Sequence, residues 1–191
     1  MPDGGPLRYH RVMPRRQAAV VIAIFRAFPH GVVFVERAAH LRDHPGQIGL
    51  PGGSAHPEDA DLEATALREL REEVGIERDR ATIVERLPML RQRVRNNFDV
   101  TPFVAVVEPG DLTIDGDETA GVFLVPLATI VEGGLRHGSI EYGGLRLPSL
   151  VLDFEGRRIW GLTARILESF VTRWRSDLRD RIVPHLTSSE A

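Results

Sequence analysis

The run from Ala18 to Phe25 is apolar without a break, and a second run covers 31–36. Pro29-His30-Gly31 separates them, so the pair reads as two strands around a turn. A polar loop rich in His, Pro and Gly follows from Ala38 to Ser54. Over 60–74 the spacing changes: Leu62, Ala66, Leu67, Leu70 and Val74 fall on one side of a helix, and Gly75 stands where a C′ glycine ends one. Strand-like runs lie near 81–88, 100–107, 120–125 and 145–154. The last 30 residues read as helical again, with Ile159, Leu162, Ile166, Leu167 and Phe170 on one stripe. Strands and helices mix without strict βαβ alternation, which predicts a single α+β or layered α/β domain.

Length agrees with that reading, since 191 residues suit one domain with a real core. Residues 1–15 carry Pro, Gly and Arg and are expected to form a loosely held arm, with the domain over 16–191. Arg15 and Arg16 before the first apolar run resemble the start of a secretory signal. The run is too short, meets Arg26 and lacks a cleavage site, so a buried strand explains it better. No stretch is long enough to span a bilayer, and the expectation is a cytoplasmic protein that acts on a small molecule and binds neither membrane nor nucleic acid. Association into a homodimer is left open.

Composition removes whole mechanisms. All 24 basic residues are arginine, and cysteine is absent. Thiolate nucleophiles, cysteine-ligated metals, Schiff bases and lysine-dependent phosphate loops are therefore excluded. The lysine deficit itself reads mainly as compositional bias. A net charge of −3 gives no general footprint for nucleic acid. Serine hydrolase chemistry lacks its nucleophile elbow. His40 and His44 share helical spacing, but Pro45-Gly46 marks a loop and no H-E-x-x-H exists, which argues against zinc.

The remaining chemistry gathers on the first helix. Glu69, Glu72 and Glu73 sit at i, i+3 and i+4, within one arc of about 100° beside the buried face. Alone, such a triplet reads as a solvated acidic face with ordinary pairs such as Arg68–Glu72. Leu50-Pro51-Gly52-Gly53 just upstream changes the reading, because its glycines let backbone approach a bound group closely. Amides and carboxylate-held Mg²⁺ or Mn²⁺ beside one another suit a pyrophosphate.

Gly53-x5-Asp59-x8-Arg68-Glu69-Leu70-x-Glu72-Glu73-x-Gly75-Ile76 resembles the Nudix box, G-x5-E-x7-R-E-U-x-E-E-x-G-U, where U is bulky and aliphatic. The chain departs from it at Asp59, which replaces glutamate, and by one extra spacer residue. Arg37-Ala38-x3-Arg42-x3-Gly46-x3-Leu50-Pro51-Gly52-Gly53 resembles the further signature of the coenzyme A pyrophosphatase branch, with Leu50 in place of an aromatic and Val33-Phe34-Val35 in place of its leading L-L-T. Val100-Thr101-Pro102 and 159–164 look typical of that branch as well.

The resemblance implies an α/β/α sandwich with a mixed central sheet and a metal-dependent pyrophosphohydrolase. Its implied substrate is coenzyme A or a derivative, cleaved to 3′,5′-ADP and 4′-phosphopantetheine or the acyl form. Alternatives are a Nudix hydrolase for ADP-ribose, a dinucleotide or a nucleoside triphosphate, and a catalytically silent Nudix-fold binding module. Glu69, Glu72 and Glu73 are the expected ligands of Mg²⁺ or Mn²⁺, with Glu69 also a candidate base. Glu118 is expected as an auxiliary ligand or general base, while Asp115 and Asp117 read as turn residues. Arg37, Arg42, His44, Gly52 and Gly53 are the expected substrate contacts. Arg91, Arg93 and Arg95 are a second basic group, read chiefly as a solvated face. Trp160 and Trp174 are expected to pack in the core, with adenine stacking as the other possibility.

Overall fold

A computed structural model describes residues 15–41, 45–92, 97–114 and 116–187. The first apolar run forms β1 (Arg16–Phe25), and Gly31–Arg37 forms β2. Two short strands follow in the predicted loop, β3 (Ile48–Gly49) and β4 (Gly52–Ser54). Helix α1 spans Leu62–Val74. After it come β5 (Ala81–Arg86), β6 (Leu90–Gln92), β7 (Phe98–Val107) and β8 (Thr119–Pro126). A short α2 (Leu127–Thr129) leads into β9 (Leu135–Tyr142), β10 (Leu145–Phe154) and β11 (Arg157–Trp160). The chain closes with α3 (Gly161–Arg173) and α4 (Arg179–Thr187).

The central sheet runs β3-β2-β1-β7-β5, with β4 also on β1, β6 on β7 and β8 on β2. β1 and β7 are parallel over Arg16–Phe25 and Phe98–Val107, while the other pairings are antiparallel, so the sheet is mixed. β1 changes neighbour along its length: Ala18–Val20 pair with β4, and Ile24 pairs with Val32 of β2. Between those pairings the loop folds in, and Val21 N–H donates to Pro51 O at 2.8 Å. β9, β10 and β11 form a separate antiparallel sheet.

The unbroken apolar run of β1 has a simple cause, burial on both faces. Ala19, Val21, Ala23 and Phe25 pack with Ala66, Leu70 and Val74 of α1. Ile22 and Ile24 pack on the opposite side with Ile166, Leu167 and Phe170 of α3 and Ile182 and Leu186 of α4. The result is the expected three-layer α/β/α sandwich in one domain.

The far end of the chain corrects one reading. Ile159 matches the helical stripe by spacing, yet it lies in β11 and pairs with Leu152. Gly161 takes φ +68° and separates strand from helix. Residues 1–14 and 188–191 lie outside the described residues. Arg15, at the end of the expected arm, is tied down by Asp99 and by the Phe98 carbonyl. No helix among the described residues is long and apolar enough to cross a membrane.

Candidate active site

Helix α1 holds its acidic face by local chemistry. Asp61 accepts from Ala64 N–H at 2.8 Å and caps the N-terminus. Gly75 closes the other end at φ +68°, donating to Arg71 O at 2.9 Å. With Ala66, Leu70 and Val74 turned to the sheet, Glu69 and Glu73 lie along the seam with β4.

Arg68 organises that seam. Its Nε and Nη2 donate to the two Asp59 oxygens at 3.0 and 3.1 Å, and Nη2 also reaches Ser54 O at 3.0 Å. Nη1 donates to Glu69 at 2.9 Å and to Glu72 at 2.8 Å. The expected Arg68–Glu72 clamp is thus one arm of a larger fork. Asp59 also accepts from Thr65 Oγ1 and from His56 N–H, which leaves it the anchor of Arg68. The Arg68 hydrogen bonds hold the Asp59 carboxyl well below the usual carboxylate range, and Asp59 in turn raises the guanidinium.

The loop glycines meet the helix carboxylates. Gly52 N–H is not turned out for a ligand; it donates to Glu73 Oε2 at 2.9 Å. A Cβ on Gly53 would collide with the Glu69 carboxylate, so glycine there leaves that carboxylate its place against β4. Burial pushes the Glu73 carboxyl up to about 7, against the Gly52 hydrogen bond; Glu69 and Glu118 add repulsion, while Arg37 favours the charged form. Burial also raises Glu69, opposed by Arg68.

Those two interactions on Glu73 place Arg37, at the end of β2, and the exposed Glu118, just before β8, within electrostatic reach of it. The Glu118 carbonyl accepts from Ala38 N–H at 2.9 Å. Arg42, His44, Arg93, Arg95 and Asp115 lie outside the described residues. His40 is exposed, and Asp117 sits in a turn as expected.

A cavity of about 730 Å³ opens beside Glu73 and Gly52. Arg37 and Arg91 line it, as do Ile140, Tyr142 and Leu147 of the β9–β10 hairpin, and Trp160 and Arg165. Of these, Ile140, Tyr142, Leu147 and Arg165 are not among the sequence-predicted site residues. Gly143-Gly144 flanked by strands is the signal for the β9–β10 hairpin: both glycines take positive φ, 59° and 76°, as a tight hairpin turn requires. Trp160 lines the cavity, whereas Trp174 packs on Phe170 with ring centroids 5.6 Å apart. A second cleft of about 640 Å³ between Leu62, Glu85 and Phe103 holds none of the expected site residues.

The donor set fits a hard divalent cation. Glu69 and Glu73 are carboxylates whose charged form burial opposes, and Glu72 and Glu118 add acidic oxygens near them. Oxygen donors of this kind suit Mg²⁺ or Mn²⁺. Among the described residues no three acidic or histidine groups are gathered into a ready coordination set. Glu69 and Glu72 are instead turned to Arg68.

Comparison with known proteins agrees with this architecture. The NUDIX domain model matches residues 14–142. An uncharacterized Nudix hydrolase, NudL, of Salmonella dublin is 36% identical over 164 residues, covering 85% of this chain and 84% of that protein. A MutT/nudix family protein from Enterococcus faecalis superimposes with a TM-score of 0.56 at 14% identity, over 96% of this chain and 70% of that one. The NUDIX domain of Shewanella oneidensis NrtR, in complex with ADP ribose, gives 0.51 at 20% identity over 63% and 78%. The chain belongs to the Nudix hydrolase family. It is a hydrolase of phosphoric anhydrides, a family that works with divalent cations on pyrophosphate substrates.

Proposed function

We propose that this Nudix hydrolase cleaves the diphosphate of coenzyme A or a derivative, giving 3′,5′-ADP and 4′-phosphopantetheine or its acylated form. The observation that carries this reading is the cavity beside Glu73, where guanidinium groups share the walls with a broad apolar surface. A diphosphate flanked by a nucleotide and a long uncharged arm needs both surfaces in one space. The 37–53 signature supports the same substrate.

Glu69, Glu72 and Glu73 would hold Mg²⁺ or Mn²⁺. When bound, the metal neutralises phosphate charge and makes a water molecule more acidic. The residues supply the rest. Gly52 fixes Glu73, and Asp59 fixes Arg68 and through it Glu69 and Glu72. Arg37 pairs with a phosphate oxygen, with Arg42 and His44 as further contacts from the same loop. Glu118 receives the proton of the attacking water, with Glu69 as the other candidate for that role.

The test is product identification after incubating the protein with coenzyme A and with ADP-ribose, Mg²⁺ and Mn²⁺ supplied separately. The expected products are 3′,5′-ADP and 4′-phosphopantetheine; coenzyme A left intact while ADP-ribose is cleaved would overturn the substrate assignment. Glu73→Gln retains an oxygen acceptor for Gly52 N–H but loses the charge. Its hydrolysis rate is expected to fall at least 100-fold, about the loss seen on removing one charge-stabilising group, and an unchanged rate refutes Glu73 as ligand.

A further inference from the structure

Trp160 is the last residue of β11, and Gly161 at φ +68° turns the chain from it into α3. The indole is not spent on the core: Trp160 is half-buried and lines the cavity that begins at Glu73.

The surroundings say which part of a substrate it meets. Tyr142 packs edge-on against Trp160, with centroids 5.7 Å apart at 63°, and fixes the indole plane. Arg165 lines the same cavity, and among the described residues it has no ion-pair partner. Arg91 closes a further wall. A flat aromatic surface beside the Arg165 guanidinium suits a base and its phosphate. A hydrocarbon arm could cover the rings but would leave the guanidinium charge without a counterion.

We propose that Trp160 positions the nucleoside end of the substrate: the base stacks on its indole, braced by Tyr142, and Arg165 pairs with a phosphate of that nucleoside. The proposal rests on the reading that the substrate is a nucleoside diphosphate derivative.

Trp160 and Trp174 are the two tryptophans of the chain, so Trp174→Phe leaves Trp160 as sole reporter. The full-length, metal-free variant is titrated with 3′,5′-ADP and, separately, with 4′-phosphopantetheine. Quenching by 3′,5′-ADP alone is expected; quenching by 4′-phosphopantetheine alone, or by neither, overturns the proposal. In calorimetry on the otherwise wild-type chain, Trp160→Phe should bind 3′,5′-ADP within a few-fold of wild type. Trp160→Leu should weaken it about tenfold or more, and unchanged affinity refutes stacking. Arg165→Gln should weaken 3′,5′-ADP more than adenosine, and equal effects on both refute the phosphate contact. Coenzyme A left uncleaved beside clear quenching by 3′,5′-ADP removes the substrate assignment and supports stacking. Cleavage without quenching removes stacking alone.

Discussion

At the scale of single residues, the site depends on Arg68 and the groups that hold it. Five hydrogen bonds fix one guanidinium, and the two to Asp59 give it a bidentate anchor. Asp59→Asn keeps the shape and removes the charge. The variant should lose about 1.5–3 kcal/mol of stability, the range for hydrogen bonds to charged groups. Its pH dependence follows from the sign of the shift. The folded-state pKa of Asp59 is depressed, so its stabilisation is complete above the ordinary value of 3.8 and is lost as pH falls below it. Acid unfolding of wild type and Asp59→Asn should therefore converge below that value; a constant gap down to pH 2 would refute the account. Sequence reading left the role of Asp59 open because its partner is nine residues on, set by the loop's path into the helix.

At the scale of elements, the distance between β4 and α1 decides where the acidic face can stand. Gly53 leaves room for the Glu69 carboxylate, since a Cβ there would push it aside. Gly53→Ala should leave the fold intact by circular dichroism and cut kcat/KM about 100-fold, the order of loss that a 1 Å misplacement can cause. Full activity would show that Glu69 tolerates the shift. Helix α1 was legible because its signals are local: apolar spacing, Asp61 before it and Gly75 after it. β3 and β4 were not, because strands of two and three residues carry no periodicity. They exist because β1 and β2 offer them edges.

At the scale of the whole molecule, the sheet is a shared floor for two cores, with β1, β2 and β7 giving residues to both. Ile22 is fully buried in the core shared with α3 and α4, away from α1. Ile22→Ala should cost about 2–5 kcal/mol by chemical denaturation. Because β1 also carries the β4 pairing, the loss should appear as one cooperative transition. Separate unfolding of the C-terminal helices would refute a single folding unit.

The sequence by itself determined the layered fold, the acidic helix with its three glutamates, and the family. Each of these is written in short-range spacing, which the 3.6-residue and two-residue periods make readable. Only the tertiary structure decided that Gly52 binds Glu73, that Asp59 governs Arg68, and that Ile159 lies in a strand. It also brought Tyr142, Trp160 and Arg165 to a cavity opening beside Glu73. Those residues lie some 70 to 90 positions from Glu73 along the chain. Their meeting follows from how the last strands and α3 fold back over the sheet, and no local pattern encodes such a contact.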